Sequence, residues 1–208
     1  MPVRQVFKNE LASIVDDHIR CFVTGAFDML CPSYFWTIPA SQRGHHPQVC
    51  QGEGGLVRHT KLAVRFGYSF MEMWPPSHQI KIATTQDEVV AALLLHDMFK
   101  RGAVEDETVT FGSHQAAVAR HGIYCAMRLQ WLWEDDADWR SIIPTDCAQR
   151  IMAAVRDHMG HWTAGIIFEP REMNCEDVVR YTTHLADYAA SRHIDEWLKT
   201  VVADTNEK

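Results

Sequence analysis

The 208-residue chain is predicted to fold as an all-α bundle, on three observations. Apolar residues recur at three- and four-residue spacing over long stretches, the period of a helix with one buried face. Those stretches are bounded by proline, glycine and cap-forming residues, where helices start and stop. Convincing period-two alternation is missing, and the one strand candidate is a short turn or hairpin in "TVTF", Thr108 to Phe111.

The elements follow in order. Val6 to Phe27 sets Leu11, Ile14, Val15, His18, Ile19 and Phe22 on one face and predicts the first helix. Cys31 to Gly55, rich in Pro, Gly and polar residues, predicts a long ordered loop whose length points to a functional role. A helix is expected from Leu56 to Met73, stopped by Pro75-Pro76. Thr85-Gln86-Asp87-Glu88 has capping-box form, so the next helix is expected to begin near Thr85. Further helices are predicted at Gly112 to Trp133, at Thr145 to Met159 with Thr145 as cap after Pro144, and at Asn174 to about Val201 with a break near Ser191. "WLWEDDADW", Trp131 to Trp139, reads as a helix end followed by an acidic solvated loop. With no internal repeat, low-complexity tract or linker, residues 1–208 are expected to form a single domain.

Composition narrows the function. A content of 47% hydrophobic and 23% charged residues is that of an ordinary globular domain. The net charge of −7 does not provide the basic footprint needed to hold a long duplex nucleic acid, and suits a small anionic substrate or a chain end better. Six cysteines, with no CxxC spacing, predict free thiols in a reducing compartment. The N-terminus is charged throughout, and no apolar run approaches the roughly 20 residues of a membrane span; the expectation is a cytoplasmic protein without a membrane partner.

The chemistry is concentrated in "VVAALLLHDMFK", Val89 to Lys100, where an unbroken apolar run ends in adjacent His96 and Asp97. Neighbours on a helix point about 100° apart, so both can address one cation only where a helix end opens onto a cavity. An uncompensated aspartate is costly to bury, and a divalent ion compensates it. The competing reading pairs Asp97 with Lys100 on a solvated turn. Twelve histidines, several at helix ends or on apolar faces, supply further donors, although a single histidine on such a face is usually a hydrogen-bonded core residue.

"GGLVRHT" (54–60), "LLLHDMFK" (93–100), "GSHQAAVARHG" (112–122), "VRDHMGHW" (155–162) and "THLADYAASR" (183–192) together resemble the HD superfamily of metal-dependent phosphohydrolases. The order H…HD…H…H…D is that of its binuclear members. "IPASQRGHHPQVCQGEGGLVRHT" looks like the entry segment of the HD domains in YhaM-type 3′→5′ exoribonucleases and some relaxase-associated proteins. The resemblance covers about Ile38 to Arg192 and implies a compact HD-domain helical bundle.

It further implies that His59, His96, Asp97 and Asp187 are metal ligands, with Asp97 placed to bridge two ions, and that His114 and His158 complete a second position. Spacing leaves alternatives: His121 follows His114 by seven residues on the same helix face, and His161 follows His158 by three. His114 is preferred because "GSH" opens the helix as in the family, and His158 because it extends the apolar face of Ile151, Ala154 and Val155. Such ligands suit a divalent transition metal (Mn, Fe, Co, Ni or Zn), two ions being expected. Lys100, one turn past His96, is placed to neutralise a phosphate oxygen in the transition state. Arg43, His45 and His46 would face substrate by the resemblance, where a protonated imidazole binds phosphate or protonates the leaving oxygen. Arg156 is a further phosphate-binding candidate.

The implied activity is hydrolysis of phosphoester bonds in nucleotides or very short oligonucleotides by metal-activated water. The exoribonuclease relatives carry an OB-fold that feeds single strands, and this chain has neither the strands nor the length for one. A 3′→5′ exonuclease acting on single strands is the near alternative, a di-iron HD-type oxygenase a more distant one, and a non-catalytic sensor module the third. Tyr34, Phe35, Trp36 and Trp162 can stack a base but are read as core packing.

Overall fold

The computed structural model describes residues 3–41, 46–73, 82–102, 114–135, 137–163 and 175–192, the side chains of 82–84, 114–118, 137 and 175–177 excepted. Every regular element among these residues is helical, as predicted.

The stretch expected to be one helix from Val6 to Phe27 is instead three: α1 (Val3–Val6), α2 (Lys8–Ala12) and α3 (Asp17–Leu30). Asp16 makes the break. Held in extended backbone, its carboxylate accepts from the N–H groups of His18 (2.8 Å) and Ile19 (3.3 Å), which caps α3. Its own N–H donates to Asp87 at 2.8 Å, so the break is anchored to a distant helix. Val15, placed on the apolar face by periodicity, falls in this break and is 79% exposed.

The predicted loop contains two short 3₁₀ turns, Ser33–Trp36 and Gln48–Cys50. Backbone bonds from Gly54 to Thr37 (2.8 Å), Leu56 to Ile38 (3.0 Å) and Ala40 to Cys50 (3.1 Å) fold it onto itself. Phe35 is buried, its ring 5.5 Å from Phe27 and 5.1 Å from Trp36, so these aromatics serve packing.

α4 (Gly55–Met73) follows as expected, whereas α5 (Ile82–Leu95) begins three residues before Thr85. The Thr85-to-Glu88 capping box therefore lies inside the helix, and Glu88 has another partner: both its oxygens accept from Arg150, at 2.7 and 2.9 Å. Val89 to Leu95 are each at most 1% exposed. α3 and α4, together with α8 (Thr145–Asp157) and α9 (Cys175–Ala190), surround α5, which is why its C-terminal half, from Val89 on, has no polar face.

α6 (His114–Asp135) packs against α8, and α7 (Ala137–Ile142) occupies part of the stretch read as a solvated loop. Trp139 explains that difference, because its indole is buried edge-on against Phe22 at 5.9 Å. Pro144, not Thr145, is the N-cap of α8, and Thr145 is its first helical residue. α9 closes at Ala190, with the Ser191 N–H donating back to Asp187 (3.0 Å). The Pro75-Pro76 stop, the "TVTF" hairpin and the continuation to Val201 lie outside the described residues. No helix among the described residues is long and apolar enough to cross a membrane.

Candidate metal centre

Six side chains from five places in the chain converge at the inner end of α5. His59 comes from the second turn of α4, His96 and Asp97 from the turn that follows α5, His121 from α6, His158 from the C-cap of α8, and Asp187 from α9. All are buried. His96 and Asp97 follow the last helical residue, where the carbonyls lose their intrahelical donors and take others, Leu93 facing His96 Nδ1 and Leu95 accepting from the Met98 N–H (3.0 Å), so the chain turns and both side chains address a common centre.

The donors fall into two groups that share Asp97: His59, His96, Asp97 and Asp187 in one, and Asp97, His121 and His158 in the other. In the first, His59 Nε2 is 3.0 Å from Asp187 Oδ1, 3.3 Å from His96 Nε2 and 3.5 Å from Asp97 Oδ2. His96 Nε2 is 3.4 Å from Asp97 Oδ2 and 3.5 Å from Asp187 Oδ1. Ligands at about 2.0–2.1 Å from a tetrahedral ion are separated from one another by about 3.3–3.4 Å. The observed spacings are those of a coordination shell, and the residues fit a divalent ion.

In the second group, His121 Nε2 lies 3.0 Å from Asp97 Oδ1 and 2.9 Å from His158 Nε2, with His158 3.7 Å from the same oxygen. The two oxygens of Asp97 are thus divided between the groups. Three protein donors leave a position for water or substrate, the pattern of catalytic sites. Asp97 Oδ1 lacks a properly directed hydrogen bond despite its histidine neighbours, so this buried carboxylate oxygen is available as an electron-pair donor to a cation.

Two histidines are held with their donors aimed inwards. His96 Nδ1 faces the Leu93 carbonyl at 2.6 Å and His158 Nδ1 the Val155 carbonyl at 2.7 Å. When each Nδ1–H donates to its carbonyl, Nε2 keeps its lone pair for the centre. Gly122 lets α6 and α8 approach: a Cβ there would lie 2.9 Å from the Arg156 and Val155 carbonyl oxygens and 3.0 Å from the His158 ring. His121 reaches His158 because of that contact.

Electrostatics reinforce the clustering. Burial disfavours the charged form of Asp97, but Lys100, His96, His121 and His158 together overcome it and hold the carboxyl well below the usual range. Asp187 is held down likewise, chiefly by His59 and His96 acting against burial. Burial also opposes the charge on His96, yet the two carboxylates raise this imidazole to about 10. Burial pushes His59 and His121 down. A protonated His96 and Lys100 offset part of the buried negative charge of the two carboxylates. Lys100 Nζ sits 2.6 Å from Asp97 Oδ2, with its side chain 21% exposed. The Asp97–Lys100 pair of the competing reading exists, but its carboxylate is buried in the cluster and not on a solvated turn.

His59, His96, Asp97, His158 and Asp187 therefore come together as the resemblance implied. The remaining donor is His121, given second place by the sequence reading; the side chain of His114, two turns away on α6, lies outside the described residues. The register of the α6 stripe identifies His121, since it precedes buried Cys125 and Leu129 at four-residue steps. His161 lies on Trp162, ring centroids 3.7 Å apart, so His158 is the one of that pair in the cluster.

His46 packs edge-on against His59 at 4.8 Å, and its Nε2 is 3.2 Å from the Ser191 hydroxyl. Burial, with His59 and Lys100 adding to it, lowers its pKa to about 3. That shift favours the neutral imidazole at this position. Arg156 donates to both oxygens of Asp157, at 2.6 and 2.8 Å, and Arg180 pairs with the same buried carboxylate. Arg43 and His45 lie outside the described residues. No family model, curated protein or solved structure matches this chain.

Proposed function

We propose that this chain is a metal-dependent phosphohydrolase that cleaves phosphoester bonds of nucleotides or very short oligonucleotides, with two divalent transition-metal ions held by the shared-carboxylate cluster. The observation that carries the reading is the division of Asp97 between two groups, Oδ2 with His59, His96 and Asp187, and Oδ1 with His121 and His158. A single carboxylate serving two histidine-containing sets suits paired ions such as Mn, Fe, Co, Ni or Zn.

Bound there, such ions supply activation of water near neutral pH and polarisation of a phosphoryl oxygen. The chain's own residues do the rest. Asp97 and Asp187 provide the negative charge that balances the centre, and His96 and His158 are kept in one tautomer by the Leu93 and Val155 carbonyls. Lys100 is the cluster member that reaches solvent, and its ammonium can turn from Asp97 to a nonbridging phosphate oxygen as charge accumulates. Neutral His46, beside His59, suits hydrogen bonding better than charge pairing.

The test is one substrate screen with Mn²⁺ or Fe²⁺ supplied: nucleoside mono- and triphosphates, cyclic nucleotides, dinucleotides and a labelled single strand, read by phosphate release and product length. Turnover of the small substrates above the strand supports the proposal. Stepwise shortening of the strand from its 3′ end at the higher rate replaces it with an exonuclease. Oxygen consumption without phosphate release replaces it with the di-iron oxygenase.

A further inference from the structure

The sequence reading assigned Trp162 to the core, and the structure does not. Trp162 is 41% exposed, as is Tyr188. The two are stacked, with centroids 6.0 Å apart and planes 14° from parallel. His161 packs against Trp162 at 3.7 Å with its plane tilted by 36°, and the Arg192 guanidinium lies over Tyr188 at 4.0 Å. The result is a column of four flat groups on the surface, with both end members exposed.

Its position is fixed by the metal centre. Trp162 ends the 3₁₀ turn Gly160–Trp162, which starts two residues after His158, and Tyr188 is the neighbour of Asp187 on α9. Gly160 makes the connection tight. It adopts φ +57°, and a Cβ there would lie 2.5 Å from the His184 ring, whose Nδ1 faces the His158 carbonyl at 2.7 Å. The column and the residues His158 and Asp187 are therefore parts of one packed unit.

Exposed, parallel aromatics capped by a guanidinium are the usual surface on which bases stack, since every base has a π-face and arginine planes accept one equally well. We propose that the His161–Trp162–Tyr188–Arg192 column is the platform for the aromatic base of a nucleotide whose phosphate is held at the Asp97–Lys100 centre. This assignment rests on the phosphohydrolase reading for the phosphate end and on the column itself for the base end. Recognition is by stacking, so it selects nucleotides over sugar phosphates and discriminates weakly among bases.

The test compares binding of two phosphonates that cannot be hydrolysed, the 5′-methylenephosphonates of adenosine and of ribose, to the metal-loaded protein by calorimetry. The adenosine compound is expected to bind about 5- to 150-fold more tightly, the range that one stacked base provides. Trp162→Ala and Tyr188→Ala should reduce the preference towards unity with metal content unchanged, whereas Trp162→Phe should retain most of it. Equal binding of the two compounds by the wild-type protein, including binding of neither, overturns the platform, as does a preference that survives both alanine variants. A base-dependent preference in a protein that releases phosphate from no nucleotide keeps the platform and removes the phosphohydrolase reading instead.

Discussion

Asp97 Oδ1 and His121 Nε2 lie 3.0 Å apart in the buried centre, yet the carboxylate oxygen gains no well-directed hydrogen bond from the contact. Both atoms belong to a group of buried donors close enough together to hold a metal ion, and a cation there would satisfy the carboxylate oxygen. Asp97→Ala removes the atom pair common to both sets, and so is expected to be more damaging than loss of any single histidine.

The two sets predict different stoichiometries. His121→Ala and His158→Ala should reduce bound metal from about two ions per chain towards one, because each belongs to the three-donor group alone. His59→Ala should lower the affinity of the four-donor group. His114→Ala tests the other histidine of α6, and retention of two ions there confirms His121 as the ligand. Elemental analysis of the four variants decides the assignment.

Lys100→Ala is expected to lower turnover about ten- to a thousandfold while metal content is preserved, as for a group that stabilises charge in the transition state. Steady-state kinetics with metal analysis separates this outcome from a purely structural pair with Asp97.

Metal binding is expected to release protons. With His96 raised to about 10 by its carboxylate neighbours, the ion-free protein carries a proton there that a ligand must lose. Apparent metal affinity should therefore rise with pH through the neutral range, and calorimetry in buffers of different ionisation enthalpy should count about one proton released. The same shift bears on stability. A raised histidine pKa stabilises the ion-free fold fully below its unfolded value of 6.5, and the contribution is lost as pH rises towards 10. Asp97 and Asp187, held low, contribute above the ordinary carboxyl range and lose their contribution as the solution is acidified.

Arg150→Ala should destabilise the fold by about 3–5 kcal/mol, because it leaves Glu88 buried without its bidentate partner. Urea denaturation measures the loss directly.

Helical periodicity revealed the bundle and located α4, α6 and α8 closely, because those helices have one face inward. It failed around Asp16, where a side chain that caps α3 and a backbone bond to Asp87 interrupt a continuous apolar stripe. The capping box at Thr85 misled for a related reason: Glu88 turned out to be a partner for Arg150, a tertiary contact with no local signal. Within the site, His96 and Asp97 stood out because polar ligands closed an apolar run. His121 was harder to identify, since "GSH" drew attention to the helix start while its own mark was the apolar register it shares with Cys125 and Leu129. Trp162 was misassigned because aromatics usually pack inside, and nothing in its local sequence shows that Gly160 turns the chain outwards.

The central claim is tested most directly by the rate of phosphate release from a nucleotide as a function of the equivalents of Mn²⁺ or Fe²⁺ added to fully chelated protein. The predicted rate is near zero at the start and rises to a plateau at about two equivalents, with Asp97→Ala inactive throughout. Release that is independent of added metal, or no release at any loading, would contradict the account.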